Sequence, residues 1–114
     1  MPRREYTLSG YRGMWLFAMF DLPVDTKKAR KRYVQFRRAL LKDGFSMLQY
    51  SVYARYCASE ESATAHRQRV HAAIPPEGYV RVLGVTDRQF GKMESYVGKT
   101  SKPSEKPPAQ LTLF

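Results

Sequence analysis

Asp21 closes a run of seven apolar residues, Met14 to Phe20, and precedes a segment crowded with lysine and arginine. A carboxylate in that position has two chemical uses. It can ligate a hard cation such as Mg2+, which takes one or two carboxylates and leaves water and phosphate to complete its shell. It can also hydrogen-bond the turn that leads into the next helix. The residues alone leave both readings open. Asp25 is better placed to cap a helix. In a two-fold dimer, two copies of Asp21 can face each other and build a shared metal site.

The segment after Asp21 carries eight basic residues between Lys27 and Lys42 and no acid until Asp43. A solvated helix usually mixes signs to gain pairs four residues apart. This one repels itself, and that cost is offset where phosphates lie alongside. The whole chain agrees in sign, with 20 Lys+Arg against 10 Asp+Glu and a net charge of +10. Such an excess points to nucleic acid or an acidic membrane surface, with a merely solvated face as the alternative. Arg12, Lys27, Lys28, Arg30, Lys31 and Arg38 are the candidate phosphate contacts. No zinc finger, helix-turn-helix signature or base-stacking aromatic motif is present, so the expected mode is salt-sensitive backbone binding.

Other chemistries have little support. His66 falls on an apolar helix face and reads as packed, His71 as exposed. No Ser-His-Asp or Cys-His arrangement and no phosphate-binding glycine loop is found. The lone cysteine, Cys57, forms no intrachain disulfide and reads as a small buried hydrophobe in a reducing compartment. Gln49 and Ser51 either place polar side chains near Asp21 or a dimer axis, or simply hydrogen-bond within a sheet. MPRREYTLSGYRG lacks the apolar segment of a secretory leader, and no stretch is long enough to span a bilayer. The expected location is the cytoplasm, with no membrane partner.

These residues need a scaffold, and 114 residues suffice for one domain with its own core. Met14 to Phe20 suits a strand covered on both faces. Asp25 or Thr26 can cap a helix whose apolar stripe is Ala29, Tyr33, Phe36 and Leu40, ended by Gly44. FSMLQYSVYARYC predicts two strands joined near Tyr50–Ser51, or one bent strand. Ser59 caps a second helix with Ala63, His66, Val70 and Ile74 on one face, stopped by Pro75-Pro76. Tyr79 to Val85 is a strand, and 87–97 holds a turn and a short edge strand. The order β-α-β-β-α-β predicts an α+β, ferredoxin-like sandwich with a short extra C-terminal strand. Residues 1–12 read as a flexible basic arm, 13–97 as the domain, and 98–114 as a flexible tail ending in an apolar peptide.

Phe20-Asp21 at a strand end, the basic helix, Gly44-Phe45 and Gln49-x-Ser51-Val52-Tyr53 together resemble the Cas2 family. These are the small CRISPR-associated endoribonucleases of the spacer-acquisition complex. MWLFAMFDLP and LLKDGFSMLQYSVY resemble members that accompany Cas9, in type II systems. The resemblance implies a homodimer joined through its sheets and Mg2+ held between two Asp21 carboxylates. It implies Mg2+-dependent phosphodiester hydrolysis, with Asp21 as the catalytic and metal-binding residue. It also implies a role that bridges Cas1 integrase dimers and clamps protospacer duplex DNA, with Lys27, Lys28, Arg30 and Lys31 at the clamp. Phe20 stands where tyrosine is common, and Met47 and Tyr50 replace frequent cations, leaving few positive charges expected near Asp21.

The tail residues Gln110, Leu111, Leu113 and Phe114 resemble the QLxLF peptide that docks on the bacterial DNA polymerase sliding clamp. The same apolar end can instead add a strand or plug to the integrase, or do neither. Two further classes compete with the adaptation subunit. One is a stand-alone metal-dependent endoribonuclease. The other is a ferredoxin-like RNA-binding module that stacks bases on Tyr50, Tyr53 and Tyr56.

Overall fold

A computed structural model describes residues 13–105. Its central strand, β1 (Met14–Asp21), carries side chains alternately to two faces, and both are packed. Leu16, Ala18 and Phe20 enter the larger core beneath the helices. Trp15 and Phe17 enter a smaller one on the opposite face. That double burial is why the run is apolar at every position instead of every second one.

Helix α1 (Lys27–Lys42) begins at Thr26, whose hydroxyl accepts the Ala29 N–H at 3.0 Å. Ala29, Phe36 and Leu40 are buried along one stripe, with Tyr33 half-buried beside them. Gly44 ends the helix with φ +89°. The positive φ favours glycine there, and a side chain would in addition have to displace the Arg55 guanidinium. Strands β2 (Ser46–Gln49) and β3 (Val52–Cys57) form the expected hairpin around Tyr50–Ser51. Helix α2 (Glu60–Ala73) is capped by Ser59, which accepts the Ser62 N–H at 3.1 Å, and Glu60 and Glu61 meet its positive end.

Strand β4 (Tyr79–Thr86) completes a four-stranded sheet of order β2-β3-β1-β4, antiparallel between all neighbours. With two helices on one face, this is the α+β ferredoxin-like arrangement that the element order predicts.

The region after β4 differs from the expected turn and edge strand. Residues Asp87–Gly91 form a single helical turn, α3, started by a reciprocal cap between Thr86 and Gln89. The Thr-x-x-Gln spacing carries that signal in the sequence. Phe90 of α3 stacks on Trp15 at 4.0 Å, closing the smaller core. The extra strand, β5 (Ser95–Val97), does not join the main sheet. It pairs with β6 (Thr100–Lys102) in a separate hairpin, so paired structure continues beyond residue 97, where the sequence places the domain's end. The arm residue Arg12 and the tail peptide Gln110–Phe114 lie outside the described residues. Among the described residues, no helix is long and apolar enough to cross a membrane.

Candidate active-site cleft and basic face

Asp21 is the last residue of β1 and is exposed. It borders a cleft of about 270 Å3 at the end of β1, shared with Met19, Phe20, Ser51, Val52, Tyr79 and Arg81. The register explains the company. Asp21 lies opposite Tyr79 and Met19 opposite Arg81 on β4, while Met19 lies opposite Val52 on β3. The β2–β3 turn is held against the same strand, because the Phe20 N–H donates to the Ser51 carbonyl at 3.1 Å. Ser51 itself adopts φ +61°, the only described non-glycine residue in the left-handed region. Such a conformation costs roughly 1 kcal/mol or more and persists where its surroundings impose it.

Among the described residues one cation, Arg81 of β4, lines the cleft, within the few expected near Asp21. Gln49 is not part of this cleft; it lines a separate cavity with Leu48, Met93 and Glu94. Arg81 and Tyr79 escape sequence reading because their position depends on antiparallel pairing with β1. Only their alternation at the start of an apolar strand hints that they share a face.

The donor set fits Mg2+ in a restricted sense. One chain brings a single exposed carboxylate, and among the described residues no three His, Cys, Asp or Glu side chains gather as a metal cluster. That excludes a closed zinc-type site built from those residues. It suits a cation that keeps most of its water and takes one or two carboxylates.

The basic residues divide by partner. Arg32 reaches Glu77 at 3.6 Å, and Arg37 donates to the Tyr53 hydroxyl at 2.7 Å. Arg30 donates to the Val24 carbonyl at 3.1 Å. Lys27, Lys28, Lys31 and Arg38 have no carboxylate within 4.0 Å among the described residues. Together with Arg30 they line one surface basin around Val34 and Gln35. With 1.5 Å per residue, the row from Lys27 to Arg38 is about 16 Å long.

His66 is buried, as expected, and its two ring nitrogens are both engaged. Its Nδ1 lies 2.7 Å from Asp43 Oδ2, and its Nε2 accepts from Arg55 Nε at 2.9 Å. Those partners assign the proton to Nδ1. This Asp43–His66–Arg55 chain ties the end of α1 to α2 and β3, and it lies on the helix side of the sheet, away from the cleft. His71 is exposed. Cys57 is free and buried, and burial raises its thiol pKa, with Arg55 and Arg67 pulling the other way. Burial, then the Asp87 charge, raises Tyr56. Tyr50, at the turn, is raised by a hydrogen bond with Tyr33. The proposed tyrosine platform does not form: Tyr53 is 1% exposed in the helix-side core, and Tyr56 packs edge-on against Trp15. Tyr50 is exposed alone.

Fold and site therefore define a small ferredoxin-like domain with a single carboxylate at a largely apolar cleft and one helix of uniform positive charge. Residues 14–93 match the family described as CRISPR associated protein Cas2. The chain belongs to this CRISPR-associated family. It is 56% identical over 101 residues to a protein of Parvibaculum lavamentivorans, covering 89% of this chain and all of that one. It is 47% identical to one of Flavobacterium psychrophilum, with both chains covered fully, and 44% identical over 107 residues to one of Paracidovorax avenae, covering 94% of this chain and 99% of that one. Each of the three is named "CRISPR-associated endoribonuclease Cas2".

Proposed function

We propose that this protein is a spacer-acquisition subunit that binds duplex DNA through its backbone and bridges Cas1 integrase dimers as a homodimer. The observation that carries this reading is the basin of Lys27, Lys28, Arg30, Lys31 and Arg38. Its length of about 16 Å corresponds to roughly five base pairs of duplex axis, at about 3.4 Å of axis per phosphate of one strand. A row of one sign, whose lysines and Arg38 have no carboxylate partner among the described residues, is stabilised by a polyanion beside it. The likeness of MWLFAMFDLP and LLKDGFSMLQYSVY to type II members supports a subunit that works beside a Cas9 system. The tail peptide Gln110–Phe114 docks on the integrase in this reading, with the sliding clamp as its rival. Binding of the 98–114 peptide to each purified partner separates the two.

A second activity, metal-dependent endoribonuclease cleavage, is favoured by the cleft itself. Asp21, with its copy in a second chain, would be the residue to hold Mg2+. When bound, the cation supplies charge neutralisation at the phosphoryl oxygen and activates water. In the hydrolysis a water oxygen bonds to phosphorus, the ester P–O bond breaks, and the departing oxygen takes up a proton. Ser51 and Tyr79 offer hydroxyls to orient the phosphodiester.

One acquisition assay tests the ranking. Asp21→Ala is expected to leave spacer integration intact, whereas reversing the charges of Lys27, Lys28 and Arg30 abolishes it. The opposite pattern would sink the structural role and promote the nuclease.

A further inference from the structure

We propose that Arg81 is the phosphate anchor of the Asp21 cleft, a substrate-contacting residue on β4. The inference rests on the phosphodiesterase reading of that cleft and adds a residue to it. Two Asp21 carboxylates cancel the charge of one Mg2+ and leave none over for a phosphodiester, so a site built on them gains from positive charge on its far wall. Arg81 is exposed on that wall. It sits diagonally across the strand pair from Asp21, since Asp21 faces Tyr79 and Met19 faces Arg81. Diagonal neighbours in an antiparallel pair stand about 7–8 Å apart, which leaves room for a phosphate group between them.

The two opposite charges share the cleft without pairing. Among the described residues Arg81 has no carboxylate within 4.0 Å, Asp21 included. Its five donors thus remain available for the non-bridging oxygens, which a planar guanidinium engages two at a time. The remaining wall is apolar Met19, Phe20 and Val52 with Ser51 and Tyr79. Among the described residues Arg81 is the one cation lining the cleft.

The test uses the full chain and a short fluorescein-labelled single-stranded RNA. Wild type, Arg81→Ala, Arg81→Lys and Asp21→Asn are compared for Mg2+-dependent cleavage, and Tb3+ luminescence reads cation binding separately. Arg81→Ala is expected to lose about a hundredfold in kcat/KM, as for removal of a transition-state charge donor. Lysine restores part of it, because it returns the charge without the planar fork. Cation binding survives in Arg81→Ala and is lost in Asp21→Asn. Cleavage by a folded Arg81→Ala within about twofold of wild type overturns the proposal, as does loss of cation binding with it. Should the alanine variant melt early, Arg81→Gln keeps the stem and repeats the comparison.

If wild type shows no Asp21-dependent cleavage, the phosphodiesterase reading fails on its own. Arg81 is then decided by RNA affinity at low salt in the Asp21→Asn background. A loss of roughly tenfold on adding Arg81→Ala supports the anchor, and unchanged affinity refutes it.

Discussion

Replacing Lys27 and Lys28 by glutamine should stabilise the free protein and weaken its hold on DNA. Both lysines occupy the first turn of α1, which contains no acid, and both are exposed. That turn is the positive end of the helix macrodipole, where each cation costs about 0.3–1 kcal/mol at low ionic strength. Exposure favours the lower half of that range, so the pair of substitutions gains about 1 kcal/mol. In a domain of this size such a gain raises the melting temperature by about 4–8 °C. The increment should shrink at 1 M salt, where the screening length falls to about 3 Å. The Thr26 cap and the buried stripe are untouched, so the helix itself persists. DNA binding should move the other way. Each lost phosphate contact flattens the plot of log affinity against log salt by about 0.9, so the pair removes about 1.8 per chain. Thermal melts at low and high salt, with fluorescence anisotropy on a duplex across a salt series, read both effects. An unchanged or lower melting temperature at low salt refutes the electrostatic account of α1. A higher melting temperature with an unchanged salt slope refutes the placement of DNA at this turn.

Two further expectations concern stability. Asp43→Ala strips the acceptor from the His66 ring, whose side chain is 8% exposed, and leaves a buried N–H unpaired. The cost is about 2 kcal/mol in urea unfolding, whereas Asp43→Asn, which keeps an acceptor oxygen, costs less than half of that. The accompanying Arg69 bond adds little, because Arg69 is 60% exposed. At alkaline pH, Cys57 and Tyr56 act together. Their folded pKa values are raised from 9.0 and 10.0, so the native state holds these protons more tightly than the unfolded chain. Their contribution is complete below pH 9 and is lost as pH rises through the folded values. Urea midpoints should therefore decline from about pH 9 upward, and in Cys57→Ala the decline should begin nearer 10.0.

The parts legible in the sequence were those governed by local rules. The continuous apolar run announced a doubly covered β1, and a four-three-four spacing announced the buried stripe of α1. Thr26 and Ser59 marked the two helix starts, and Gly44 the stop. His66 declared itself packed by falling on an apolar face. Thr86 and Gln89, three residues apart, likewise specify the cap of α3.

What the chain order alone determined was one carboxylate at the end of a central strand and one helix of unmixed positive charge. Neither requires knowledge of what lies across the sheet. The cleft does. Arg81 and Tyr79 reach Asp21 because β4, some sixty residues later in the chain, pairs antiparallel with β1 in a single register. A shift of that register by one residue would turn both side chains to the opposite face. Tyr53 and Tyr56 look alike in sequence, three residues apart, yet alternation along β3 sends one into the helix-side core and the other against Trp15. Side-chain type and spacing are written in the chain. Which side chains share a cleft is decided by strand pairing, which only the folded sheet supplies.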